Sequence, residues 1–125
     1  MNKKIIIADM SPDYRRYLTK YIAEIPGITV DEVDLGFDLI EKTKKENYDA
    51  IIADLLLSDM SSIRAVREIR MYNQRIPILI MSLSATRFID PILSRLPVNV
   101  RLYKPFGKTE FLESLEKLLG ENKHA

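Results

Sequence analysis

Cysteine is absent from the 125 residues, which excludes disulfide staples, thiolate metal sites and cysteine nucleophiles and fits a reducing compartment. An excess of one charge is missing as well, because 19 lysines and arginines stand against 18 aspartates and glutamates. No overall field draws the chain to nucleic acid or to an anionic membrane, so partners must be sought in local surfaces. Long apolar runs are also wanting. Met1-Asn2-Lys3-Lys4 leads into Ile5-Ile6-Ile7, too few apolar residues for a signal peptide or a membrane span, and the expectation is a cytoplasmic protein. No internal repeat, low-complexity tract or linker interrupts the sequence. What is present, 46% hydrophobic and 30% charged residues, is the composition of an ordinary globular protein. The length suits one core rather than two, so residues 1–125 read as one domain with a core over about 3–119.

The stretch Tyr48-Asp49-Ala50-Ile51-Ile52-Ala53-Asp54-Leu55-Leu56-Leu57 organises the chain. A short apolar run without alternation suits a central strand of a parallel sheet covered on both faces. Asp54 then falls at the strand's carboxyl end, where open α/β sheets place their ligand crevice. The plainer role for Asp54 is that of a turn residue.

The remaining segments alternate strand and helix patterns. Lys4 to Ala8 reads as a buried strand ending at Asp9, and Ser11-Pro12 as a cap and first helical position. Tyr14, Tyr17, Leu18, Tyr21, Ile22 and Ile25 recur at helical spacing until Pro26-Gly27. Ile28 to Val33, with Asp31, Glu32 and Asp34, predicts an edge strand; Leu35 to Lys45 predicts a second helix with Phe37 and Ile40 inward and a lysine-rich end. Ser58 to Ser62 is a polar loop able to cap a helix striped by Ile63, Val66 and Ile69. Arg64, Arg67 and Arg70 lie three apart on another stripe and read as a solvated face rather than a phosphate-binding row. Ile76 to Met81 is the fourth strand, followed by Ser82. Within Ala85 to Leu96 the pair Asp90-Pro91 predicts a break, with Asp90 as cap and Pro91 opening a short helical turn. Val98 to Tyr103 is the fifth strand, and Phe111, Leu112, Leu115, Leu118 and Leu119 stripe a last helix that stops at Gly120.

Five strands alternating with five helices predict an α/β fold, a doubly wound parallel sheet with helices on both faces. The ends of the first, third, fourth and fifth strands can then surround one crevice, and they carry Asp9, Asp54, Ser82 and Lys104. Two carboxylates, a hydroxyl and an amine make phosphoryl chemistry plausible: a carboxylate can attack phosphorus, while cationic and hydroxyl groups bind its oxygens. A flavin or nucleotide site would need a phosphate loop rich in glycine, serine or threonine after the first strand. Asp9-Met10-Ser11-Pro12-Asp13 is no such cradle.

At these residues the chain resembles the receiver domains of response regulators in two-component signalling. The resemblance runs from about Lys3 to Leu119 and rests on Ile7-Ala8-Asp9 with Pro12, Tyr48-Asp49 leading to Asp54, Ser82 after an apolar strand, and Lys104-Pro105-Phe106. It implies a flavodoxin-like topology, Asp54 as phosphoacceptor, Ser82 as the hydroxyl that binds the phosphoryl group, Lys104 as the family's lysine, and magnesium at Asp9, Asp54 and Leu56. It also implies a histidine kinase or phosphotransfer protein as donor, a downstream protein partner, no nucleic acid or membrane, and a monomer or weak homodimer. Any enzymatic activity is at most self-phosphorylation of Asp54 from a phosphodonor. Because only Glu121 to Ala125 follow the last predicted helix, the expectation is a chain that acts through contacts or belongs to a longer protein.

Departures from the family pattern define a second reading. The second acidic position is Met10, and a thioether is a poor magnesium ligand, so weak or absent metal binding is expected unless Asp13 substitutes. Ser58 replaces the usual proline, Ser62 a glycine and Leu83 a small residue, and a bulky Leu83 would crowd access to Asp54. Arg101 holds the aromatic switch position and is expected to point outward. The alternative function is therefore a pseudo-receiver, a protein-interaction module that works without phosphorylation. The plainest role for the retained trio is a salt-bridged pocket in which Lys104 offsets Asp9 and Asp54, which would otherwise repel.

Overall fold

Isoleucine-rich segments too short for helices pair side by side because each can bury both of its faces. In the computed structural model, which describes residues 2–83 and 90–120, they form one five-stranded parallel sheet in the order β2-β1-β3-β4-β5. The strands are β1 (Lys3–Ala8), β2 (Ile28–Val33), β3 (Ala50–Asp54), β4 (Ile78–Leu83) and β5 (Val100–Lys104). As expected, β2 lies at an edge and β3 at the centre. Both β4 and β5 begin and end later than predicted. Ser82 and Lys104 are therefore strand residues, because register with β3 and β4 carries the pairing to Asp54↔Met81 and Leu83↔Lys104.

Four helices of ten or more residues flank the sheet among the described residues: α1 (Pro12–Ile22), α2 (Gly36–Lys45), α3 (Ser62–Tyr72) and, last in the chain, α5 (Lys108–Gly120). Among the described residues the fifth expected helix is a single turn, α4 (Asp90–Leu93), so the description as five helices is corrected to four and a turn. Proline is tolerated in a first turn, where its missing donor would have no intrahelical partner, which suits Pro91 as the second residue of α4. Asp90 begins the turn rather than preceding it, and residues 84–89 of the predicted segment lie outside the described residues.

The period of two along the strands divides the core. Ile6, Ala8, Ile51, Ala53, Ile78 and Ile80 pack with Leu39, Ile40, Val66 and Ile69 on the α2/α3 side. Ile5, Ile7, Ile52, Leu79 and Met81 pack with Leu18, Ile22, Phe111, Leu115 and Leu118 on the α1/α5 side. Each of the isoleucine, leucine, valine, methionine and phenylalanine side chains among them, fully buried, contributes about 1.5–3 kcal/mol of transfer free energy.

Ser11 caps α1 by accepting from Tyr14 N at 3.2 Å, with Pro12 in its first turn. The helix ends at Ile22, and the turn that follows needs Gly27, whose φ of 83° lies in the left-handed region. Ser61 caps α3. Phe37 was expected inward and is instead 59% exposed. The buried stripe of α2 is Gly36, Leu39, Ile40 and Thr43, a helical spacing that leaves Phe37 one position off the inward face. The arginine row also divides: Arg64 and Arg67 are exposed, but Arg70 is half-buried and donates to the carbonyls of Pro97 and Asn73 and to Asn99 Oδ1. It fastens α3 to the segment leading into β5.

Candidate functional site

Parallel strands ending at one edge bring residues distant in sequence together. Asp9 follows β1 and is 2% exposed, Asp54 closes β3, Ser82 lies in β4 at 4% exposure, and Lys104 closes β5. Lys104 Nζ sits 3.1 Å from Asp9 Oδ2 and 2.8 Å from Asp54 Oδ1. One ammonium thus bridges both carboxylates, the arrangement in which it offsets their mutual repulsion. These residues and Ser82 line a cavity of about 240 Å³ together with Met10, Ser11, Leu55, Leu56 and Leu83.

Short-range geometry holds each acid. Asp9 Oδ1 accepts from Ser11 N at 2.9 Å, and its carbonyl accepts from the Arg15 guanidinium. Arg15 Nε also pairs with Glu32 at 3.0 Å, tying α1 to β2 and to the residue that follows β1. Asp54 Oδ2 accepts from Leu56 N at 3.1 Å, and the Asp54 carbonyl accepts from Ser62 Oγ. Ser62 thus closes the β3–α3 loop onto the strand. That loop is anchored a second time by Asp59, which accepts from Gly36 N at 2.6 Å and Phe37 N at 3.0 Å. Asp59 thereby caps α2, whose own N-cap residue Leu35 has no side-chain acceptor. Partial burial pushes the Asp59 carboxyl up, but the Gly36 and Phe37 amides outweigh it and hold it below the usual range.

Tyr14, whose helical spacing predicts a core residue, also borders the acidic pair's lysine. Its ring centroid lies 3.8 Å from Lys104 Nζ. Burial, then the charges of Asp9 and Asp54, push its phenol up to about 12, so the ring is neutral at ordinary pH. The signal available in the sequence was only an aromatic at the third position of α1, indistinguishable there from a core residue.

The donor set is short for magnesium, which requires near-octahedral oxygens. Asp9 and Asp54 are both engaged by Lys104. Leu56 has a half-exposed apolar side chain and can offer only its backbone carbonyl, and Met10 presents an exposed thioether. Asp13 is not a substitute, since its side chain is 93% exposed, pairs with Arg16 at 3.4 Å and does not line the acidic cavity. Among the described residues no group of three or more histidine, cysteine, aspartate or glutamate side chains is placed to hold a metal ion. Leu83 borders the cavity with its side chain more than half exposed. Arg101 points outward from β5, as expected.

The family model described as response regulator receiver domain matches residues 5–116. The chain is 31% identical over 118 residues to the transcriptional regulatory protein CusR of Escherichia coli K12, covering 93% of this chain and 51% of CusR. It therefore spans about half the length of that relative. It is 25% identical over 119 residues to the chemotaxis protein CheY-3 of Vibrio cholerae, covering 94% of this chain and 92% of that protein. Among solved structures it is similar to the receiver domain of the sensor histidine kinase PA1611 from Pseudomonas aeruginosa, which has a magnesium ion coordinated in its active site cleft. The TM-score is 0.86 at 24% identity, over 96% of this chain and 99% of that one. At this identity the likeness speaks for the fold alone. Among the described residues no helix is long and apolar enough to cross a membrane.

Proposed function

The chain belongs to the response regulator receiver domain family, and on that premise we propose that it accepts a phosphoryl group on Asp54 from a histidine kinase or phosphotransfer protein and signals through protein contacts. The observation that carries this reading is the single ammonium of Lys104 set between Asp9 and Asp54 at 3.1 and 2.8 Å, in a cavity that Ser82 also lines.

An Asp54 carboxylate oxygen attacks the phosphorus of a phosphohistidine. The O–P bond forms as the P–N bond breaks, the electron pair stays on the imidazole nitrogen, and that nitrogen takes up a proton. Lys104 and the Ser82 hydroxyl bind the oxygens of the transferred group, supplying positive charge and a hydrogen bond where negative charge gathers. Magnesium, which would ordinarily add charge compensation, is bound weakly or not at all, because Met10 stands at an acidic ligand position. Cytoplasmic placement and a monomeric or weakly dimeric state accompany this reading.

That same thioether favours a second reading, a pseudo-receiver that keeps the fold as an interaction module without phosphorylation. Incubation with acetyl phosphate or beryllofluoride in the presence of magnesium, followed by intact mass and spectral change, separates the two. One phosphoryl group that vanishes in Asp54→Asn supports phosphotransfer. No modification, from acetyl phosphate or from a phosphorylated donor protein, leaves the pseudo-receiver, and a phosphoaspartate at Asp9 or Asp59 overturns the site assignment.

A further inference from the structure

Lysine ends in a compact charge on a flexible four-carbon stem, so its position in a pocket must be imposed by its surroundings. Two sides of the Lys104 ammonium face Asp9 and Asp54, and a third faces the Tyr14 ring at 3.8 Å from the centroid. A cation over an aromatic face is attracted by the ring quadrupole, more strongly when both are withdrawn from water. The Lys104 side chain is 15% exposed.

The ring is itself well fixed. Tyr14 N donates to Ser11 Oγ, which sets the first turn of α1. Its ring packs edge-on against Phe106 at 6.0 Å, and Phe106 stacks at 5.8 Å on the fully buried Phe111. A chain of aromatic contacts thus leads from the ammonium to the α1/α5 core.

We propose that Tyr14 is a positioning residue that holds Lys104 in place by its ring face while the ammonium changes partner; this rests on the phosphotransfer reading of Asp54. Once Asp54 carries a phosphoryl group, Lys104 must release a carboxylate oxygen and take a phosphoryl oxygen. A third carboxylate beside Lys104 would hold it rigidly and repel the incoming group. A neutral ring face attracts the ammonium without fixing its direction and adds no negative charge. Tyr14 therefore retains the cation near the acceptor through both arrangements.

Tyr14→Leu removes the ring with little loss of volume, and Tyr14→Phe keeps it. The first readout is the initial rate of Asp54 phosphorylation by acetyl phosphate. The second is the NMR shift of the Lys104 ε-methylene protons, assigned with Lys104→Met, which a ring beneath them moves upfield. Urea midpoints monitor folding. Tyr14→Leu is expected to abolish the upfield shift and slow phosphorylation by roughly fivefold or more, while Tyr14→Phe retains both. An unchanged rate in Tyr14→Leu, or a loss as large in Tyr14→Phe, overturns the proposal, as does an unshifted Lys104 signal in the parent. If the parent takes no phosphoryl group, the phosphotransfer reading fails. The shift comparison still decides whether the Tyr14 ring holds Lys104, because it needs no reaction.

Discussion

Replacing Lys104 with methionine keeps most of the stem and removes the charge that Asp9 and Asp54 share. Their bonded oxygens lie 3.1 and 2.8 Å from one nitrogen, so they are separated by no more than the sum of those distances. Two unit charges about 6 Å apart repel by roughly 3 kcal/mol at an effective dielectric of about 20. Asp9 is 2% exposed, and breaking a buried pair by removing one partner costs about 3–5 kcal/mol. The 16% exposure of the Asp54 side chain lets water take up part of its charge and places the expectation at the lower end. Lys104→Met should therefore lower the unfolding free energy by about 3 kcal/mol, read from urea unfolding by circular dichroism at neutral pH and physiological salt. In the same background Asp54→Asn should recover about 2 kcal/mol by removing the repulsion. Asp54→Asn alone leaves the Lys104–Asp9 pair standing and should change little. The reasoning is refuted if Lys104→Met stays within about 0.5 kcal/mol of the parent, the scatter of independent sites, or if the double variant is no more stable than Lys104→Met.

Met10→Asp should strengthen magnesium binding by about ten- to a hundredfold, the range for altered metal-site surroundings, measured by titration calorimetry; no gain would mean that something other than the missing carboxylate limits the site. Asp59→Ala should cost about 1 kcal/mol, as for a lost helix cap. Because the folded Asp59 carboxyl is held below its ordinary value, its contribution is complete above the unfolded value and lost as pH falls through the folded one, so parent and variant should converge in acid denaturation. Arg101→Ala should weaken binding to a partner isolated by pull-down more than Asp54→Asn does, since Arg101 is exposed on β5 and cannot swing inward as an aromatic would. A large loss for Asp54→Asn with none for Arg101→Ala would return the domain to ordinary phosphorylation-driven behaviour.

The sheet was legible because central parallel strands leave an unambiguous trace: Ile5-Ile6-Ile7 and Ala50-Ile51-Ile52-Ala53 are apolar on successive residues, and the two cores take alternate members. Edges were less legible. The apolar character of Ile76 and Val98 predicts strand, and Ile76 is indeed buried, but burial in a connection looks the same as burial in a ladder. The α4 region shows a related limit. Asp90-Pro91 predicts a break, yet among the described residues the helix that starts there ends at Leu93, a point set by packing that local chemistry does not encode. Phe37 misled for the opposite reason. An aromatic near a helix start is usually drawn inward, but here Gly36, over which the Met60 side chain packs closely, takes the buried position and turns Phe37 out.

Site residues at strand ends could be found because the fold rule itself places them in one crevice, so Asp9, Asp54, Ser82 and Lys104 needed only topology to meet. Residues that act on those four from helices and loops carry no comparable signature. Ser11 has the signature of a cap, and it also donates its amide to Asp9. Arg15 is one polar position in a helical pattern, yet it spans Asp9 and Glu32. Asp59 looked like part of a polar loop and instead caps a helix 22 and 23 residues earlier. Tyr14 sat in a stripe of apolar spacing, where the pattern assigns aromatics to the core. Its ring does reach the core through Phe106, and the same placement sets its face against Lys104. Helical periodicity reports that a side chain points toward the sheet. Near the amino end of α1 the sheet's edge is the acidic pocket itself, so an inward side chain there meets Lys104 as well as hydrocarbon, and a residue patterned as core becomes part of the site.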